Sequence, residues 1–174
     1  PRFEFRYLKN VLLERFAAQS FLTATEPEFV QESSKGVLPL ASIPDLGGYD
    51  VVVLGDLRDQ ALVGSLELER FVSQGGGLVL VPGDFGLAGL GDSVEDLAPV
   101  VDEPLDSTQK TVNSFSLPTV GHPSMAGLWD HGKLRPLGSL SSVRPARWRS
   151  GAETLLAGPG DRPVIATWNV GAGK

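Results

Sequence analysis

The sequence contains no cysteine, and this single absence excludes several kinds of site. Without a thiol, the chain forms no disulfide, no cysteine nucleophile, no zinc–thiolate centre and no iron–sulfur cluster. Histidine is almost as scarce, because His122 and His131 are the only two in the chain. Two histidines alone do not make the ligand pattern of a transition-metal site. The sequence therefore predicts neither a bound metal nor a cofactor.

The sequence also lacks a long apolar run and an excess of positive charge. No apolar stretch approaches the ~20 residues that a membrane-spanning helix needs, and no secretory leader is visible. The 174 residues carry a formal net charge of −6. Binding to nucleic acid depends on a basic surface that neutralises phosphates. We therefore expect no membrane insertion by this segment and no nucleic-acid partner.

The charges that are present are unevenly distributed along the chain. Between Arg70 and Lys110 every charged residue is acidic: Asp84, Asp92, Glu95, Asp96, Asp102, Glu103 and Asp106. Between Asp130 and Glu153 every formally charged residue is basic: Lys133, Arg135, Arg144, Arg147 and Arg149. The favoured interpretation is two surfaces that attract each other, and the alternative is a basic patch for an anionic partner.

The length and the 41% share of hydrophobic residues suit one domain, 1–174, with a full core. Residues 3–16 are predicted to form a helix, because their apolar residues recur at the spacing of one helix face. This apolar stripe consists of Phe3, Tyr7, Leu8, Val11, Leu12 and Phe16. Residues 21–25 read as a short strand. Residues 26–48 read as a loop with room for one helical turn near 27–31.

The middle of the chain has the pattern of a parallel sheet. Residues 49–54 and 78–81 are almost wholly apolar, which is typical of strands buried on both faces. Between them the sequence predicts a helix over 65–74, capped by Ser65 and ended by the glycines at 75–77. Buried strands that alternate with helices indicate βαβ units in a layered α/β sheet.

The second half of the chain is predicted to extend this sheet. Residues 111–117 are a candidate strand. Residues 154–157 and 163–168 are apolar and flank a Gly-Pro-Gly-Asp turn at 158–161, which predicts a β-hairpin. The sheet is therefore expected to be mostly parallel, with an antiparallel hairpin near the C-terminus.

Segments 49–56 and 75–83, with Leu68, Phe71 and Val72 between them, resemble the core of class I glutamine amidotransferase-like domains. The nearest variety is the cysteine-less type found in bacterial membrane-anchored proteins with von Willebrand factor A domains. The segment formed by Gly121, His122 and Pro123 is also similar to a recurrent sequence motif of that family. The resemblance implies a three-layer, flavodoxin-like α/β sheet. It also implies that the chain is a soluble fragment of a longer protein and lacks the domain's first and last strands. Such a fragment would lie either in the cytoplasm or outside it.

The resemblance does not extend to the catalytic residues of the family. Its enzymes place a nucleophilic cysteine on a turn after a strand, with histidine and glutamate partners later in the chain. Here the corresponding turn contains Gly83, Asp84 and Phe85, and Ser124 stands where the glutamate is expected after His122 and Pro123. The resemblance therefore implies the fold without the reaction. We expect a non-catalytic module for ligand sensing or protein interaction within a larger bacterial protein.

A ligand crevice is predicted at the ends of the two apolar strands, where open α/β sheets bind their ligands. Its candidate residues are Asp56, Gly83, Asp84, Phe85 and His122. Two carboxylates and a histidine are able to perform acid–base chemistry, so a divergent hydrolase is one alternative. Asp84 and His122 are equally typical of turns. A sugar-related domain of the trehalose-utilisation type, suggested by His122 and Pro123, is another alternative.

An interaction surface is predicted around Trp148, which lies between Arg147 and Arg149. Exposed tryptophan and arginine are favoured in protein interfaces. The alternative is a buried tryptophan whose neighbouring arginines extend to solvent. The partners expected for this surface are other domains of the parent chain or a separate protein.

Overall fold

The computed structural model describes residues 3–23, 29–32, 36–39, 45–55, 63–64, 66–81, 83, 86–103, 112–117, 121–130, 133–135, 138–140 and 146–174. These residues form a mixed α/β fold with one parallel strand pair and several antiparallel pairs. The helices are α1 (Phe3–Arg15), α2 (Leu68–Ser73) and α3 (Asp92–Glu95). The strands are β1 (Phe21–Thr23), β2 (Phe29–Glu32), β3 (Gly36–Pro39), β4 (Val51–Gly55), β5 (Gly77–Val81), β6 (Val100–Asp102), β7 (Trp129–Asp130), β8 (Lys133–Leu134), β9 (Ala146–Trp148), β10 (Glu153–Ala157) and β11 (Pro163–Thr167).

Helix α1 forms where the apolar periodicity predicts it, but its stripe does not enter a core. Tyr7, Leu8 and Phe16 are exposed. Periodicity shows which residues share a helix face. It does not show whether another element covers that face.

The predicted loop over 26–48 is wrong for residues 29–32 and 36–39, which form strands, whereas Leu46–Gly48 forms a short 3₁₀ turn. β2 pairs antiparallel with β1 on one side and with β3 on the other. The helical turn predicted near 27–31 is likewise wrong, because Phe29–Glu32 is extended. Ladder hydrogen bonds between separate segments stabilise these strands, and such partners leave little signal in local composition.

The parallel unit β4–α2–β5 confirms the predicted strand, helix and strand. The two strands are in register from Val51 opposite Gly77 to Gly55 opposite Val81. Helix α2 is shorter than predicted and begins after Glu67; Ser65, the predicted cap, lies outside the described residues. The helix ends as predicted, because Gly75 has φ +109°.

The end of α2 has the hydrogen bonds of a Schellman motif. Gly75 N–H donates to the carbonyl of Val72 at 2.9 Å, and Gly76 N–H donates to that of Phe71 at 3.0 Å. These two bonds satisfy carbonyl groups that the end of a helix otherwise leaves unpaired.

The main core lies on one face of the β4–β5 pair. That face presents Val52, Leu54, Leu78 and Leu80 to a buried cluster that includes α2 and the segment from Leu87 to Ala98. The opposite face presents Val51, Val53, Val79 and Val81, which are exposed. The prediction that these strands are buried on both faces is therefore wrong for the described structure, because only one face is covered.

The second half of the chain forms the predicted hairpin. β10 and β11 pair antiparallel from Glu153 opposite Thr167 to Ala157 opposite Pro163. Leu155, Leu156 and Met125 form a second buried cluster. Of the strand predicted over 111–117, the described part shows only isolated bridges at Val112 and Ser116. No helix among the described residues has the length and apolar character needed to span a membrane.

Candidate functional site

Two of the five residues predicted for the ligand crevice are described by the structure. Asp56, Asp84 and Phe85 lie outside the described residues, so their grouping stays a prediction. Gly83 follows β5 and has φ +58°, a conformation that glycine adopts at low cost. His122 lies at the start of a 3₁₀ helix over Pro123–Leu128.

His122 acts as the cap of this short helix. Its Nδ1 accepts a hydrogen bond from Ser124 N–H at 3.2 Å, and its carbonyl accepts one from Met125 N–H at 2.9 Å. Its Nε2 lies 3.2 Å from Lys174 Nζ. Both ring nitrogens of His122 therefore have a polar neighbour within this chain.

A carboxylate from β6, that of Asp102, holds the glycine-rich turn that follows β5 (83–91). In the sequence, Asp102 stands out only as one residue of the acidic stretch. Asp102 Oδ2 accepts a hydrogen bond from Leu87 N–H at 2.7 Å. Leu87 and Leu90, which follow in this turn, are buried in the main core. No local pattern shows this bond, because it joins the turn to β6.

Charged and aromatic side chains meet in a cleft beside β9, here named the Trp148 cleft. Its lining consists of Val101, Arg147, Trp148, Arg149, Ser150 and Trp168. The cleft has a volume of about 390 Å³. β9 pairs antiparallel with β6, with Arg147 opposite Val101 and Trp148 opposite Val100. The indole of Trp148 is 54% exposed, so the alternative of a buried ring is excluded.

The two arginines of the cleft have different environments. Arg149 Nη2 donates to the carbonyl of Glu95 at 2.8 Å and lies 3.6 Å from Asp96 Oδ1. This contact joins the basic stretch to the acidic one, as the charge pattern predicts. Arg147 is exposed and has no ion pair with any residue that the structure describes. It is therefore the available cation of the cleft.

Trp168 completes the lining of the cleft. Trp168 was not predicted as a site residue from the sequence. The guanidinium carbon of Arg149 lies 5.9 Å from the centre of the Trp168 ring, a cation–π distance. Arg149 Nε is buried without a hydrogen-bond partner among the described residues. The guanidinium is thus held between α3 and the end of β11. Arg149 positions the wall of the cleft, and the side chains of Arg147 and Trp148 are exposed.

A second cleft, of about 540 Å³, lies between the C-terminal end of α1 and the turn before β4. Its polar groups are already engaged. Asp45 accepts a hydrogen bond from Gly47 N–H at 2.7 Å and lies 3.5 Å from Arg70. The hydroxyl of Tyr49 bonds to Gln19 Oε1. Across the described ranges, no group of three potential metal-binding side chains comes together.

Comparisons with known proteins support the fold alone. No protein-family model and no curated protein matches the sequence. Among solved structures, the chain resembles the cytoplasmic protein STM3548 from Salmonella typhimurium with a TM-score of 0.59. The match covers 89% of this chain and 80% of that chain at 14% sequence identity. Identity this low carries no argument about activity.

Proposed function

We propose that this chain is a non-catalytic module of the class I glutamine amidotransferase-like type that binds an acidic protein segment in the Trp148 cleft. A flavodoxin-like, three-layer arrangement is the finer form of the fold that we propose. The parallel β4–α2–β5 unit and the C-terminal hairpin support it. The absence of cysteine supports a module without amidotransferase chemistry.

The exposed side chains of Trp148 and Arg147, which both line the cleft, are the observation that carries the proposal, together with the lack of an ion-pair partner for Arg147 among the described residues. Tryptophan and arginine dominate the binding energy of many interfaces. A half-exposed indole places a large apolar surface in water, and a partner that covers it gains the free energy of burying that surface. Trp148 lies opposite Val100 in the β6–β9 ladder, so its backbone is already ordered before a partner binds.

The charges of the cleft indicate the chemistry of the partner. The whole chain has a net charge of −6, yet Arg147 is exposed at this cleft and has no ion pair within the part of the chain that the structure describes. A guanidinium binds a carboxylate by donating two parallel hydrogen bonds to its oxygens. An aromatic or aliphatic side chain of the same segment would pack on Trp148, which points to the opposite face of β9 from Arg147 because consecutive residues of a strand alternate. The partner segment is therefore acidic with one large apolar residue, and it belongs to another domain of the parent chain or to a separate protein.

A divergent hydrolase built on Asp56, Asp84 and His122 has weaker support. His122 uses Nδ1 as a helix cap and faces Lys174 with Nε2. The trehalose-utilisation alternative depends on the same histidine and gains no separate support from the structure.

The test is a binding titration with a fluorescently labelled peptide of three glutamates and one phenylalanine. A lysine version of the same peptide is the charge control. We expect anisotropy to rise only with the acidic peptide and to fall with added salt. Trp148→Ala and Arg147→Ala should each weaken binding about tenfold or more, which corresponds to about 1.4 kcal/mol.

Arg135→Ala is the matched control, because Arg135 is an exposed arginine outside the cleft. It should leave the affinity within about twofold of the wild-type value, as expected for a distant surface charge. Equal affinity for the acidic and lysine peptides, or an unchanged affinity in Trp148→Ala, would refute the proposal.

A further inference from the structure

The exposed face of the parallel strand pair is apolar throughout, and it is here named the valine face. It consists of Val51, Val53, Val79 and Val81, whose exposed fractions range from 37% to 53%. The register places Val53 beside Val79, and Val81 beside Gly55. Single exposed apolar residues are common on protein surfaces, but a contiguous set of four marks a contact surface.

Parallel strands are normally covered on both faces by helices. In this structure α2 and the segment after β5 cover one face, and the valine face is open. The missing cover is therefore expected to be a helix with an apolar stripe.

Helix α1 presents such a stripe. Tyr7 is 67% exposed and Leu8 is 39% exposed. Together with Val11 and Leu12, they recur at the spacing of one helix face. Helix α1 has 13 residues, which corresponds to a length of roughly 20 Å. A five-residue strand is about 17 Å long, so the helix spans the valine face.

The position of α1 in its own chain favours a second copy as the source of the covering helix. Leu13 and Phe16 line the cleft with Gly48 and Tyr49 near the start of β4. The hydroxyl of Tyr49 bonds to Gln19 shortly after α1. With α1 held there, both apolar surfaces stay open in the same molecule.

We infer that two copies of this chain form a reciprocal dimer in which α1 of each copy covers the valine face of the other. Such an arrangement is isologous, because each copy gives one helix and accepts one. The exposed parts of the stripe and of the valine face amount to on the order of 500 Å² per protomer. A symmetric pair would bury about 1,000 Å², which is the size that a specific interface needs to reach. The inference does not depend on the Trp148 cleft.

The test is sedimentation equilibrium of the chain from about 1 to 200 µM, a range that brackets a micromolar dimer. Two variants address the two surfaces separately: Val79→Lys places a charge in the valine face, and Tyr7→Ser removes the most exposed aromatic group of the stripe. We expect a concentration-dependent dimer in the wild type. Each variant should weaken the dimer at least tenfold. Circular dichroism verifies that each variant is folded.

Ile165→Lys is the matched control, because Ile165 is 41% exposed and lies on β11, outside both surfaces. It should dimerise like the wild type. A wild-type chain that is monomeric at every concentration overturns the inference and indicates instead that α1 closes over the valine face of its own chain. A dimer that persists unchanged in Val79→Lys also overturns it.

Discussion

Gly173→Ala is predicted to destabilise the fold strongly, although it adds a single methyl group. Gly173 is buried in a turn in which Val170 N–H donates to its carbonyl at 3.1 Å and its own N–H donates back at 3.0 Å. The turn packs against the end of α2. A Cβ atom at position 173 would overlap the carbonyl oxygen of Val72 and lie 2.5 Å from that of Gly76.

The size of the expected loss in stability follows from which atoms the added methyl group would displace. Both carbonyl groups belong to the backbone at the Schellman end of α2, so neither can rotate away as a side chain would. Overpacking of this kind costs about 1–3 kcal/mol and sometimes more. Displacing the turn also threatens the 2.8 Å hydrogen bond from Leu78 N–H to the carbonyl of Lys174, which contributes about 1 kcal/mol. We therefore expect a loss of about 2–4 kcal/mol in the free energy of unfolding.

The assays are urea unfolding and thermal unfolding, both followed by circular dichroism, together with amide hydrogen exchange at Leu78. A loss of this size lowers the melting temperature by about 5–15 °C for a domain of this length. Exchange at Leu78 should also become faster, because its acceptor lies in the displaced turn.

Gly138→Ala is the control, since no atom outside its immediate chain neighbours lies within 4 Å of its ideal Cβ position. It should change the free energy of unfolding by less than about 0.5 kcal/mol. If Gly173→Ala matches this control and keeps the native exchange rate at Leu78, the close packing argued for the turn is refuted.

Two further substitutions test how the Trp148 cleft and the glycine-rich turn are held. Arg149→Ala should cost about 1–2 kcal/mol in urea unfolding, because it removes the bond to Glu95 and the contact with Trp168. This range allows for the 29% exposure of the side chain. Arg149→Lys should recover only part of the loss. An unchanged free energy of unfolding in Arg149→Ala would contradict the positioning role. Asp102→Ala should cost about 1–3 kcal/mol, because Leu87 N–H loses its acceptor in a partly buried site. Asp102→Asn keeps an acceptor oxygen and should cost less than half as much, so equal losses in the two variants would argue against the bond.

The candidate interaction surface was partly predictable from the sequence. Trp148 lies between Arg147 and Arg149 in a short sequence motif that leaves both an exposed and a buried tryptophan open, and the structure shows an exposed one. The different environments of the two arginines were not predictable. Arg149 meets Glu95 and Asp96 only because β9 pairs with β6, which follows the helix that carries Glu95. Asp56, Asp84 and Phe85 stay predictions from the sequence.

The sequence by itself determined the elements whose signals are local. The apolar runs predict β4 and β5, the periodic stripe predicts α1, and the glycines at 75–77 end α2 because their backbone conformation is cheap for glycine. The absence of cysteine alone excluded thiol chemistry.

Only the tertiary structure decided which segments meet. The β1–β2–β3 sheet, the bond from Leu87 to Asp102 and the place of Trp168 in the cleft all join residues from separate segments. The valine face is another example, because the apolar sequence of a strand does not show whether one or both of its faces are covered. Local sequence sets the conformation that a segment prefers, whereas burial and pairing depend on the packing partner that the rest of the chain, or a second chain, brings to it.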